Sequence, residues 1–317
     1  MHSHWITSGK DPQFVLQVHG GAWNIPEDLR PAHAEGVRQA WQAAATTLRS
    51  GAPPMDAVVA ALVVLEDDPV FDAGTGSFLN EDGKAELDAA VMEGAGLRAG
   101  AVAAVTRFRN PCLIARAVME KTEHVLLIAE GAERFALAQG FAAVDPLSLV
   151  APRELAGYRA WVNAGRPDAR VFFDEEGKAA EKRGTVGVVI GARAQGALRY
   201  TLCAGTSTGG TRGKMAGRVG DVPLVGCGIY ADDEGAAVCC TGWGEAFIRS
   251  AAAKSVSDLC VRGAAPQEAV EEVLRFLHRR TGGRGGIMAV DAAGRCGAAF
   301  TTPDMGYAGP SCRSLAL

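Results

Sequence analysis

One abrupt change of character constrains this chain more than any other feature. Residues 174–183 read DEEGKAAEKR, charged and without a stripe of apolar residues. They stop at Gly184, and TVGVVI follows at once over 185–190. β-Branched residues at that density favour a strand, whereas a charged run with no core-facing side favours a solvated connection. The chain must therefore start a buried strand directly after a segment expected to be mobile from about 141 to 183, where prolines are also scattered. An ordinary surface loop has this composition, and so does a place where a chain is cut.

On the N-terminal side, residues 14–18 (FVLQV) read as a buried strand feeding a tight turn at His19-Gly20-Gly21. Residues 31–50 and 53–66 are alanine-rich with helical spacing and begin at prolines. Strand character follows at 85–92 and 97–106, a helix from Asn110-Pro111 to Glu120, a short strand at 125–127 and a helix at 131–139. On the C-terminal side, 197–204 is the expected hairpin partner of TVGVVI, and 224–231 and 236–241 are two more strands. Residues 244–261 and 266–280 read as amphipathic helices, and 287–291 with 296–300 as a last hairpin. Strand and helix blocks on both sides of one connection suggest layered α+β packing in a single domain.

Composition removes several function classes. A net charge of −4 offers no basic field to nucleic acid. No stretch is long and apolar enough to span a bilayer, and the polar N-terminus after MHSHW lacks the apolar core of a secretory signal. The eight cysteines form no C-x-x-C pair, and some lie in apolar runs such as LVGCGIY. Buried reduced thiols in a cytoplasmic protein are the expectation. The six histidines lack the clustering of a zinc site.

Four short segments carry the chemistry: RGTVG at 183–187, TSTGG at 206–210, GRVGD at 217–221 and TGWGE at 241–245. A threonine freed as a new N-terminus has a hydroxyl nucleophile and an α-amine base in one residue. The amine's pKa of roughly 7.7–8.0 suits a general base near neutrality. TGWGE reads as a strand end opening a helix, and helix N-termini favour developing negative charge. The Thr241 hydroxyl and Gly242 N–H could then form an oxyanion hole. Arg218 and Asp221, three apart in a glycine-containing loop, suit the carboxylate and ammonium of an amino acid, or else form a surface ion pair.

Taken in order, GTVG, TSTGG, GRVGD and TGWGE resemble the plant-type asparaginase and isoaspartyl peptidase family of N-terminal threonine nucleophile hydrolases. HGGAW at 19–23, FDAGTGSFLNEDGKAELDAAVMEG at 71–94 and AGAVAAVTRFRNPCLIARAVME at 99–120 agree, so the resemblance runs from Val15 to about Met305. It implies a four-layer αββα sandwich and self-cleavage between Gly184 and Thr185. The products would be an α subunit of residues 1–184 and a β subunit of 185–317, assembled as a dimer of αβ heterodimers. It also implies hydrolysis of β-aspartyl dipeptides and of the L-asparagine side-chain amide to release L-aspartate. By the same resemblance, Thr185 is the nucleophile, Thr208 tunes it, and Thr241 with Gly242 holds the oxyanion. Arg218 grips the substrate α-carboxylate, Asp221 and the Gly244 carbonyl hold the α-amino group, and Gly21 lies close to the nucleophile. No cofactor takes part in the chemistry. A structural sodium ion is implied on the carbonyls of Leu65, Glu66, Asp68, Phe71, Ala73 and Thr75, a donor set hard cations favour, although an ordinary helix-to-strand turn would read the same.

The pattern departs in places. Asp72 stands where better-known members have Asn, and a carboxylate there raises the pKa of the new amine unless it points away or is neutralised. Trp23 replaces a glycine, Thr301 stands where Asn is common, and Trp243 is either a wall for the leaving group or core. Three rival readings are a glycosylasparaginase, whose secretory signal and oxidised cysteines have no counterpart here, a threonine endopeptidase acting on longer chains, and a non-catalytic relative of the same fold. The Arg218/Asp221 pair favours small substrates, and the retained threonines favour an enzyme.

Overall fold

A computed structural model of the chain describes residues 13–167 and 183–316. Most of the charged run, residues 174–182, lies outside them. The first stretch runs through β1 (Phe14–Trp23), α1 (Arg30–Arg49), α2 (Pro54–Asp67), β2 (Leu87–Glu93), β3 (Arg98–Val105), α3 (Pro111–Lys121), β4 (Leu126–Ile128), α4 (Ala129–Ala138) and α5 (Pro152–Asn163). The second runs through β5 (Arg183–Ala192), β6 (Thr201–Thr211), β7 (Ile229–Tyr230), β8 (Ala236–Gly242), α6 (Gly244–Ser250), α7 (Ala252–Val261), α8 (Pro266–Thr281), β9 (Gly285–Asp291), β10 (Cys296–Phe300), β11 (Asp304–Ala308) and β12 (Arg313–Ser314). Prolines stand in the first turns of α1, α2, α3, α5 and α8, where a missing N–H breaks no helical bond.

The strands form a seven-stranded sheet in the order β11-β1-β5-β6-β2-β3-β4 and a five-stranded sheet in the order β12-β10-β9-β8-β7. Pairing is antiparallel except for β3 with β4 and β10 with β12. Alternate residues of the central strands divide between two cores, as the two-residue period of a strand dictates. Leu16, Val18, Leu87, Val91, Val186, Val188 and Ile190 join a core with residues of α1, α2 and α3. Val15, Ala90, Met92, Val189, Leu202 and Ala204 join the other, with residues of β8, β9, α7 and α8. The large sheet is thus covered on both faces, which explains why the residues of TVGVVI after Thr185 are apolar without alternation.

Four expectations are corrected. The HGG segment is no tight turn: β1 continues through it to Trp23, with a register shift between His19 and Ala22 and Gly21 at φ +105°. The glycines supply a bulge, not a reversal. Residues 224–231 supply only the two residues of β7, because turn bonds from Leu224 and Gly228 N–H close on the Asp221 carbonyl before the strand begins. The helix expected over 244–261 breaks at Ala251 (φ +45°, ψ +49°). The break is stabilised from outside, since Ala253 and Lys254 in the first turn of α7 donate to the carbonyls of Cys227 and Gly226. Finally, the connection expected to be loose from 141 contains a 3₁₀ turn (Pro146–Leu149) and α5, whose Trp161 and Glu154 are buried. Strand β11, pairing with β1, and the short β12 were not anticipated.

Helix α2 reaches the sheet through Gly205 of β6, where a Cβ would stand 2.8 Å from Leu62 Cδ1 and closer still to Val58 Cγ1. Gly205→Val is therefore expected to cost about 1–3 kcal/mol of unfolding free energy by overpacking, measured by urea denaturation. An unchanged midpoint would show that α2 can yield there.

Candidate active site

Strand β5 opens the site. Its register against β6 sets Thr185 opposite Thr208, with a bulge between Arg183 and Thr185. The Thr185 hydroxyl points at Thr208 Oγ1 from 3.4 Å, a long contact. Thr208 Oγ1 donates to the Gly184 carbonyl at 3.0 Å and accepts the Gly210 N–H at 2.9 Å. With its single proton committed to Gly184, Thr208 is an acceptor toward Thr185. The two hydroxyls therefore point in series at the carbonyl immediately before Thr185. Both threonines are buried.

Gly184 is held from behind by Asp72. A Cβ on Gly184 would lie 2.7 Å from Asp72 Cβ, so only glycine fits. Asp72 accepts Gly209 N–H on its backbone carbonyl at 2.9 Å and Phe78 N–H on Oδ1 at 2.8 Å, while its Oδ2 is buried without a hydrogen bond. Burial holds its carboxyl well above the usual range, with Glu154 adding to this and the Phe78 amide, Lys214 and the Gly184 amide opposing it. The neutral acid is favoured, the second of the two conditions under which Asp72 spares a neighbouring amine. Gly184, Asp72, Trp23 and Glu154 line one small cavity. Glu154 reaches it from α5, bridging Arg153 at 2.7 Å and Arg212 at 2.9 Å.

The second sheet contributes Thr241 and Gly242 at the end of β8. Thr241 Oγ1 accepts the Ala22 N–H at 3.3 Å, which ties it to the bulged end of β1. Gly21 sits in that bulge, its N–H directed at His19 Nδ1 at 3.3 Å. His19 is neutral, its pKa pushed down to about 3 by burial. Gly242 has φ +141°, and a Cβ on it would stand 2.5 Å from the Arg284 carbonyl. Thr301 braces this corner, accepting Gly285 N–H at 3.0 Å and donating to the Gly285 carbonyl at 3.2 Å, and Gly285 pairs with Gly242. Trp243 is half-buried against the second core with the Arg249 guanidinium 5.2 Å from its ring. Trp23 is buried, edge-on to His33 at 5.5 Å.

Arg218, Asp221 and Gly244 converge. A Cβ on Gly244 would stand 2.9 Å from both Arg218 Nη2 and Asp221 Oδ1. Arg218 does not spend its charge on Asp221 alone: its Nε donates to Glu245 Oε1 at 2.9 Å, a contact that nothing in the spacing of TGWGE announced. Asp221 Oδ2 is buried without a hydrogen bond. Burial raises its pKa to about 7 against the pull of Arg218. The corner thus offers a guanidinium and an unsatisfied buried carboxyl oxygen side by side.

The six residues of the expected cation loop follow one another from the end of α2. The Glu66 carbonyl accepts Thr75 N–H at 2.7 Å and that of Asp68 accepts Phe71 N–H at 3.2 Å. The Glu66 carboxyl turns away to the Cys112 amide and thiol at 3.1 and 3.0 Å, and Phe71 and Ala73 are buried apolar residues. Thr75 Oγ1 is buried without a hydrogen bond, which an oxygen-binding cation in this loop would relieve. Among the described residues no group of His, Cys, Asp and Glu could hold a metal, no disulfide forms, and no helix is long and apolar enough to cross a membrane.

A family model described as asparaginase matches residues 12–311. The chain is 41% identical to the isoaspartyl peptidase/L-asparaginase of Danio rerio, over 93% of this chain and 91% of that protein. It is 42% identical to the plant-type L-asparaginase of Pyrococcus abyssi, over 93% and 95%. It is 39% identical to the isoaspartyl peptidase of Escherichia coli, over 93% of each.

Asp221 titrates near 7 when folded and near 3.8 when free. Between about pH 4 and pH 7 the folded state keeps a proton the unfolded state has lost, so Asp221 makes stability fall as pH rises through that window. Asp221→Asn should flatten the fall in unfolding free energy across it. Glu66, also raised to about 7 by burial, preserves part of the slope. Equal slopes in both proteins would place the titration elsewhere.

Proposed function

The chain belongs to the asparaginase family that these matches define, and we propose that it is a self-processing threonine hydrolase of β-aspartyl dipeptides and L-asparagine. The observation that carries this is the corner formed by Arg218 and Asp221. A buried carboxyl oxygen with no hydrogen bond beside an arginine is costly unless a ligand completes it, and the α-ammonium and α-carboxylate of an aspartyl unit do so together.

Maturation uses the hydroxyl series. Thr185 Oγ attacks the Gly184 carbonyl carbon, passing its proton toward the Thr185 nitrogen as the C–N bond breaks and an ester forms. The Thr208 hydroxyl, already donating to the Gly184 oxygen, supports the negative charge that gathers there. Water then cleaves the ester, leaving the Gly184 carboxylate and a free Thr185 amine and hydroxyl. In the mature site the amine takes the hydroxyl proton, and Thr185 Oγ attacks the side-chain carbonyl of the bound aspartyl unit. Thr241 and Gly242 receive the oxyanion. Ammonia or the next amino acid leaves with the proton, and water releases L-aspartate from the acyl-enzyme. Arg218 holds the α-carboxylate throughout, while Asp221 and the Gly244 carbonyl hold the α-ammonium.

The division of the large sheet's side chains between two cores supports an αββα stacking of four layers. The sequence resemblance supports a dimer of αβ heterodimers as the working form, and eight free cysteines support a reducing, cytoplasmic setting. The loop at 65–75 fits a structural sodium ion held by backbone oxygens, with the Thr75 hydroxyl beside it. The ion would brace the segment that carries Asp72 and takes no part in the reaction.

Two measurements test these readings. Denatured intact mass should show two fragments meeting between Gly184 and Thr185, and Thr185→Ala should remain one chain without activity on β-aspartyl dipeptides. A cut Thr185→Ala protein would remove Thr185 as the nucleophile. Exchanging sodium for tetramethylammonium should lower Tm by about 2–4 °C, and an unchanged Tm would empty the loop of its ion.

A further inference from the structure

The loop that carries Arg218 and Asp221 contains a lysine that should not be inside a protein without a reason. Lys214 is only 4% exposed, and burying an ammonium is costly unless it is closely compensated. Its Nζ donates to the Glu86 carbonyl at 2.9 Å and lies 3.9 Å from Glu86 Oε2. The side chain runs against Gly210, where a Cβ would stand 2.9 Å from Nζ. Gly210 is the residue whose N–H fixes the Thr208 hydroxyl. One side chain thus touches both the strand carrying Thr208 and the segment entering β2.

That segment also grips the loop directly. The Glu86 carboxylate accepts Gly217 N–H at 3.1 and 3.2 Å, and Glu81 accepts Ala216 N–H at 3.1 Å. Asp88 lies two residues beyond Glu86, fully buried and directly opposite Thr208, which is itself opposite Thr185. Its Oδ1 accepts Ala104 N–H at 2.9 Å, and its charge faces Lys214 and Arg218. Asp72, on the preceding loop, is the third acid in the field of Lys214.

We propose that Lys214 is a positioning residue whose ammonium, anchored by Glu86 and faced by Asp88, locks the Arg218 loop to the strand carrying Thr208. The guanidinium that receives the substrate's α-carboxylate is thereby held in place before the substrate arrives. This rests on Arg218 gripping the substrate, as set out above.

The experiment compares kcat and KM for a β-aspartyl dipeptide in the matured wild-type enzyme and in Arg218→Lys, Lys214→Met, Asp88→Asn, Glu86→Gln and Lys214→Met/Asp88→Asn. Lys214→Met should raise KM at least about tenfold, with kcat within about threefold, because loosened ground-state binding appears in KM. The double variant should show a smaller KM rise than Lys214→Met, since it no longer leaves a buried carboxylate without its cation; KM effects that simply multiply would overturn Asp88 as the partner of Lys214. Should Lys214→Met not fold, Glu86→Gln must show a KM rise of about threefold or more. A wild-type KM in Lys214→Met, or in Glu86→Gln where that variant must stand in, overturns the proposal if Arg218→Lys raises KM. An unchanged KM in Arg218→Lys overturns the substrate clamp itself.

Discussion

The site depends on the register of β5 against β6. Because a strand's side chains alternate, a slip of one residue would send every side chain of β5 to the opposite face. Thr185 would leave Thr208, and Val186 would leave the helix-side core. The apolar demand of Val186, Val188 and Ile190 on one face and Val189 on the other therefore fixes the hydroxyl series as firmly as any hydrogen bond within it. Packing sets the position of a reactive group that contributes little to packing.

Around that row the protein trades side chains for proximity. Gly184 and Gly209 let backbone close on Asp72, Gly210 makes room for Lys214, and Gly244 lets a helix start within reach of Arg218 and Asp221. Each of these glycines is thus an absence that an ionisable neighbour fills. Two of those neighbours, Asp72 and Asp221, are buried acids whose proton affinity burial has raised, as it has for Asp88 on β2. The region is dense in buried ionisable groups, a setting where electrostatic effects are large.

Much of this was legible in the chain itself. Prolines at helix starts and the strand-like run after Gly184 located most elements within a few residues, because those signals act locally. What was missed depends on contacts distant in sequence. Nothing near Ala251 announces a helix break, since the carbonyls that support it come from Gly226 and Cys227. The HGG segment carries turn residues yet stays in a strand, because β11 arrives from the far end of the chain to pair with it. Residues 146–163 looked loose because α5 hides its purpose in two side chains, Trp161 and Glu154. The motif residues were legible as types, but the roles of Glu245, Lys214 and Asp88 were not. Each is an ordinary charge in the sequence and becomes distinctive only when the fold sets it against an opposite charge.

The sheet order β11-β1-β5-β6-β2-β3-β4 interleaves what lies before residue 184 with what lies after it. Strands β5 and β6 are inserted between β1 and β2, so neither half owns the whole of this sheet. A cut before Thr185 would therefore divide the covalent chain without dividing the architecture. It would also erase the information by which the two halves first found each other, because a severed pair must meet as separate molecules. Such a protein is written once: its history of folding as a single thread is stored in its shape, and a molecule unfolded after the cut has lost the route by which it was made.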